Sequence, residues 1–190
     1  ARIRLIGLIF GLMALVACDT AEERAEGHYQ RGMQLLEAGE EEKALLEFRN
    51  ALQLNEDAIE PRLEFARIRL KQGEIQGAIG NYLKVIELDE NHLVARTSAG
   101  RLLLQFDPSP ERAREHINAA ASIAPDDIDV RGLVAGLAQK EGRLEDAQTQ
   151  ATALLKDAPG NTMAVSILVA QKVEEGDYAG IIPIIDQALS

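Results

Sequence analysis

The stretch Ala38-Gly39-Glu40-Glu41-Glu42-Lys43-Ala44 decides how this chain is read, because its glycine and its final alanine come back in register. Gln72-Gly73-Glu74-Ile75-Gln76-Gly77-Ala78 restores the pair 34 residues on, and Glu141-Gly142-Arg143-Leu144-Glu145-Asp146-Ala147 restores it again. Gly176 stands a further 34 residues beyond Gly142. Working outward, Ala44, Ala78, Ala113 and Ala147 are spaced by 34, 35 and 34, while Ala51, Val85, Ala120, Leu154 and Ala188 run 34, 35, 34 and 34. A third ladder is Gly32, Ala66, Gly100, Ala135 and Val169. Small residues at fixed phases of such a period mark stacked helix-turn-helix units, since two helices cross closely only where side chains are small.

The fold class expected is therefore all-α, an α-α superhelix of about five helical pairs preceded by an N-terminal signal helix. Aligned on the ladders, the array covers residues 25–190, with units at 25–58, 59–92, 93–127, 128–161 and 162–190, the last of them truncated. In this register the chain resembles the tetratricopeptide repeat (TPR) family. That pattern has small residues at unit positions 8 and 20, a glycine near 15, an aromatic at 24 and a proline at 32. Position 24 is Phe48 and Tyr82, then Ile117, Ala151 and Ile185, and position 32 is Pro125 and Pro159 in the third and fourth units. The family's first-helix tryptophan and tyrosine are missing. The fifth unit departs furthest, with Ile181 in the position-20 slot and Pro183 inside its second helix.

Local signals agree with that register. The turns between units offer Asp57, Asn91, Asp126 and Asn161 as capping side chains. Gly39, Gly73, Gly142 and Gly176 suit the left-handed residue that follows a first helix. The third unit lacks such a glycine and uses Phe106-Asp107-Pro108-Ser109-Pro110-Glu111, one residue longer, with Ser109 as the expected cap and Pro110 as the first helical residue.

The beginning of the chain carries a separate message. Arg2 and Arg4 precede an apolar run of 13 residues from Leu5 to Ala17, a secretory-signal pattern too short to span about 30 Å of hydrocarbon comfortably. Leu15-Val16-Ala17-Cys18 resembles the bacterial lipobox, after which the signal is cut and the cysteine is lipidated. The resemblance implies a signal peptide at 1–17, lipidation with palmitate and related acyl chains at Cys18, and a short lead-in through residue 24. A plain signal peptide, an uncleaved anchor and a helix with a buried thiol are the other readings. Thr20-Ala21-Glu22-Glu23 has the form of a capping box, so little free linker follows the cysteine. Asp19 resembles the enterobacterial inner-membrane retention signal. The localisation expected is a bacterial cell membrane, lipid-anchored on the periplasmic face.

Charge narrows the partners. Two of the 20 basic residues and none of the 31 acidic ones lie in residues 1–17, so the other 173 residues carry 18 against 31, a net charge of −13. Such a surface repels nucleic acid and anionic headgroups, which leaves the lipid as the membrane determinant. No catalytic constellation stands out, and no enzyme, cofactor, metal or small-molecule substrate is expected. His28, His92 and His116 have no spacing that puts two ligands on one helical face. Gly73, Gly77 and Gly80 follow a helix where a phosphate loop follows a strand. Asp126, Asp127 and Asp129 lack the glycine and distal glutamate of a calcium loop.

What remains is binding. The family resemblance implies a concave groove lined by first-helix positions 2, 5, 6, 9, 12 and 13. Carried over, it presents Tyr29, Met33 and Leu36, then Leu63, Arg67 and Leu70, then Thr97, Arg101 and Leu104. The last two units add Gly132, Gly136 and Gln139, then Ser166, Ala170 and Val173. Arg67 and Arg101 share a phase and form a candidate basic spot for an acidic group of an extended peptide, unless each is simply paired with a neighbouring acid. Tyr29, Met33 and Leu63 are candidate apolar anchors. The function expected is a scaffold for other proteins or extended peptides in envelope assembly or export, in exopolysaccharide, pilus or secretion machinery. The alternative is the N-terminal anchoring module of a larger envelope protein with a downstream enzymatic or polysaccharide-handling domain.

Overall fold

The computed structural model describes residues 20–189, and among them it has ten α-helices and no strand. The lipidation candidate Cys18 and the whole signal segment lie outside the described residues. The helices come in pairs: α1 (Ala21–Glu37) with α2 (Glu41–Leu54), α3 (Ile59–Lys71) with α4 (Ile75–Leu88), and α5 (Leu93–Phe106) with α6 (Pro110–Ile123). Then follow α7 (Ile128–Lys140) with α8 (Leu144–Asp157), and α9 (Thr162–Glu174) with a 3-10 turn, Tyr178–Gly180, and α10 (Ile181–Leu189). The first helices of units two to five begin at Ile59, Leu93, Ile128 and Thr162, the first residues of the expected units. Every helix packs on its pair partner, and every second helix packs on the next first helix. No helix among the described residues is long and apolar enough to cross a membrane.

Crossings obey a volume rule that the small-residue ladders encode. In the first and third units, position 8 of the first helix faces position 24 of its partner. Gly32 lies against the buried Phe48, and Gly100 against the buried Ile117. Where position 24 shrinks to Ala151, position 8 is Ala135, and both are fully buried. In the fifth unit both are large, Val169 and Ile185, and Ile185 stays 38% exposed. Pro183 adds to this departure. Its ring would collide with the preceding turn of a helix started at Tyr178, so that turn tightens to 3-10 and α10 proper begins at Ile181.

Turn chemistry follows the expectation in part. Gly39, Gly73, Gly142 and Gly176 have φ of 75°, 78°, 77° and 71°, where a side chain would be strained. Thr20 and Glu23 form the reciprocal capping box, at 2.7 Å and 3.1 Å. Asn161 caps α9 through Oδ1, which accepts from the amide of Ala164 at 3.0 Å. Asp57, Asn91 and Asp126 do not cap. The N-cap in each case is the next residue, Ala58, His92 or Asp127. Asp127 accepts from Val130 at 3.0 Å and His92 Nδ1 accepts from Ala95 at 3.3 Å. The reason is phase, because a cap must sit one residue before the first helical position, and the polar residue in three of these turns lies two before it. Ser109 is the N-cap residue of α6 with Pro110 first in the helix, but its hydroxyl donates to Glu111 and makes no cap bond.

The two ends of the stack differ. The outer face of α1 carries Gly27, Arg31 and Gln34 at the phases where α3 has Pro61, Phe65 and Ile68 and α5 has Ala95, Ala99 and Leu102. On that face Arg31 and Gln34 are exposed among the described residues. At the other end Tyr178, Ile182, Ile185 and Leu189 form an exposed apolar stripe.

Candidate binding groove

The first helices line one side of the stack, and α7 also packs directly on α5 and on α9 there. Toward the N-terminal end the groove is acidic. A cavity of about 510 Å³ between α1 and α3 is lined by Glu22, Glu23, Glu26, Tyr29, Asp57 and Glu60, among others. The Tyr29 phenol titrates above its ordinary value, first through burial and then because Glu64, Glu60 and Glu26 disfavour a further negative charge. Its ring lies 6.0 Å from that of Phe48, so Tyr29 and Met33 pack against the first-unit core and expose only part of their surface. Leu63 is 8% exposed and belongs to the core, which removes it as an accessible anchor.

Both candidate arginines have acidic partners. Arg67 is paired with Glu64 one turn earlier on α3, and Arg101 reaches Asp129 of α7 at 3.4 Å. The Thr97 hydroxyl is spent on its own helix, donating to the carbonyls of Leu93 and Val94 at 3.0 Å and 3.1 Å. Gly132 and Gly136 are not open floor, because neighbouring side chains already occupy the space above them. A Cβ on Gly132 would meet the Asn161 amide at 3.3 Å, and one on Gly136 would lie 2.8 Å from Met163 Sδ and 3.1 Å from Leu104 Cδ2.

That close approach shapes a second cavity of about 350 Å³ between α5, α7 and α9, lined by Arg101, Leu104, Gln105, Gly136, Gln139, Lys140 and Met163. The Lys140 ammonium donates to the carbonyl of Leu104 at 2.6 Å and to that of Asp107, closing the C-terminal end of α5. Met163, Gln105 and Lys140 were not among the carried-over side chains, although they stand at unit positions 2, 13 and 13, which the same pattern assigns to the groove. Among the described residues no group of three or more His, Cys, Asp or Glu is placed to hold a metal.

Away from the groove, His116 is buried, with its Nδ1 3.0 Å from Arg96 Nη1. Burial, the leading cause, and the guanidinium groups of Arg96 and Arg112 hold its pKa below the ordinary value, against the pull of Glu115. Glu141, in the glycine turn after α7, is clamped by Arg114 and Arg143, and these bonds hold its carboxyl below the usual range.

No protein-family model matches the sequence, and no curated protein matches it. Solved structures do. A MamA chain from residue 41 to its end, from Desulfovibrio magneticus RS-1, aligns with a TM-score of 0.73 at 19% identity, covering 87% of this chain and 93% of that one. A tetratricopeptide repeat protein from Parabacteroides merdae aligns with a TM-score of 0.75 at 16% identity, over 87% of this chain and 64% of the other. YrrB, described as a TPR protein with an unusual peptide-binding site, gives 0.69 at 18% identity over 87% and 84%. At these identities the likeness is one of fold.

Proposed function

We propose that this chain, whose fold is that of the tetratricopeptide repeats, is a protein-interaction scaffold that holds a polypeptide segment in the groove of its first helices, tethered by lipid at Cys18 to a bacterial envelope membrane. The observation that carries the binding part is the groove itself, where first helices of successive pairs leave cavities of side-chain size along one face. Repeat stacks of this kind create extended concave surfaces suited to polypeptide partners. The peptide-binding site named for YrrB supports the same reading by analogy. The tether rests on the leading sequence, in which two arginines, a 13-residue apolar run and Leu15-Val16-Ala17-Cys18 follow in order. Several acyl chains would make release negligible, where a single chain binds only marginally. Envelope assembly or export is the setting that fits a tethered scaffold.

Two measurements test this. A photo-crosslinking residue at Arg101 or Tyr29, with mass spectrometry of the adducts, is expected to capture discrete envelope polypeptides; labelling indistinguishable from that at the outer-face position Gln34 refutes the groove. Cys18→Ala is expected to leave an unprocessed precursor. Unchanged mobility and unchanged membrane fraction, in this variant and under globomycin, refute the tether.

A further inference from the structure

Within that groove, and resting on the groove reading, we propose that the specific subsite is the cavity between α5, α7 and α9, and that it takes a leucine-sized side chain next to a carboxylate on a polypeptide partner. Its floor is apolar. Leu104 and Met163 meet over Gly136, where any Cβ would fall 2.8 Å from Met163 Sδ, so the missing side chain is what lets the floor close. Methionine adapts to irregular apolar shapes, which suits a floor that must receive a guest. At about 350 Å³ the cavity is within the range of ligand pockets, about 300 to 1,000 Å³, and is large enough for a side chain or two.

The rim supplies the charge preference. On a chain with 31 acidic residues, none of the side chains that line this cavity is a carboxylate. The N-terminal cavity, by contrast, is lined by Glu22, Glu23 and Glu60, and the one between α8 and α9 by Glu145, Glu174 and Glu175. Lys140 is held in place by two carbonyl oxygens and has no acid within 4.0 Å among the described residues, so its charge is positioned and unbalanced. Arg101 is held by Asp129 at 3.4 Å, with the pair 45% and 70% exposed, a solvent-screened contact that a better-placed carboxylate can replace. Arg67 is different, since its partner Glu64 is only 15% exposed and keeps it occupied. A carboxylate beside an apolar group satisfies rim and floor together, whereas an extended polyanion meets the repulsion of the whole acidic surface.

Methyl spectroscopy tests this on the full chain labelled with ¹³C-methyl methionine, whose three methionines are Met13, Met33 and Met163. The probe is an acetylated, amidated peptide of sequence Ser-Gly-Leu-Asp-Leu-Asp-Gly-Ser. Its addition is expected to move the Met163 methyl saturably and to leave Met33 in place. Replacing both probe aspartates by asparagine, or Arg101→Glu in the protein, is expected to weaken binding about tenfold or more, as befits loss of a charge-assisted contact. Lys43→Glu, on the second helix α2 and outside the groove, is expected to leave the affinity within about twofold, since Lys43 lines no part of the cavity. A shift at Met33 without one at Met163 overturns the subsite and leaves the groove reading standing. No shift at either methyl overturns it too, with crosslinking from Tyr29 then judging the groove separately. Equal binding of the asparagine probe, or of a lysine version, overturns the charge preference on which the proposal rests.

Discussion

The volume rule at the crossings makes a prediction of opposite sign at two glycines. Gly32 and Gly80 both lie inside helices, so replacing either by alanine brings the same propensity gain, about 1 kcal/mol. Their surroundings differ. Around Gly80 nothing lies within 4 Å of a new Cβ, so Gly80→Ala is expected to stabilise by that amount. At Gly32 the new Cβ would lie 2.7 Å from Phe48 Cδ1 and 2.9 Å from Phe48 Cζ. Ordinary carbon contacts fall at about 3.5 to 4.0 Å, so the fully buried ring must retreat by roughly 1 Å or α1 must lift from α2. Overpacking of that kind costs about 1 to 3 kcal/mol, which offsets or exceeds the propensity gain. Because propensity cancels between the two variants, their difference isolates the packing cost, with Gly32→Ala the less stable by about 1 to 3 kcal/mol. Urea unfolding followed by far-ultraviolet circular dichroism measures it. Phe48→Leu in the Gly32→Ala background is expected to show a favourable coupling of about 1 kcal/mol in a double-mutant cycle. Gly32→Ala as stable as Gly80→Ala would refute the reasoning, because the ladder residue would then be small for some reason other than the crossing.

The capping pattern is checked by Asn161→Ala, expected to cost about 1 kcal/mol through loss of the bond to Ala164, against Asp126→Ala, expected to change stability by less than about 0.5 kcal/mol. His116 gives a pH dependence. Its folded pKa is lowered, so the unfolded chain binds the proton more tightly, and stability is fully present above the unfolded value of about 6.5 and is lost as the pH falls below it. His116→Gln is expected to flatten the dependence of Tm on pH in that window. A slope equal to that of the wild type would mean that His116 is accessible to protons in the folded state.

Much of the architecture was legible because repetition makes each local choice visible several times. Gly39, Gly73, Gly142 and Gly176 could be read as left-handed turn residues, and all four have positive φ. Ala44, Ala78, Ala113 and Ala147 could be read as crossing residues, and none is more than 1% exposed. The caps were legible only to within one residue, since Asp57, Asn91 and Asp126 look equally suited to either side of the boundary. The groove was legible as a set of positions but not as a surface. Leu63 shares its phase with Tyr29 and Thr97, yet only the packed structure shows it in the core. Arg67 and Arg101 share a phase with each other, yet one is held by a largely buried glutamate on its own helix and the other by an exposed aspartate on the next first helix.

By itself, then, the sequence determined the period, the helical pairing, the crossing residues and the acidic balance of the chain, because each is a one-dimensional property of spacing or composition. Tertiary structure alone decided which groove positions remain open and what charge surrounds them. Met163, Lys140 and Leu104 come from three different units and converge only when first helices stack, as close to one another as Gly136 permits. That separation depends on side chains from both neighbours, and no single unit carries it.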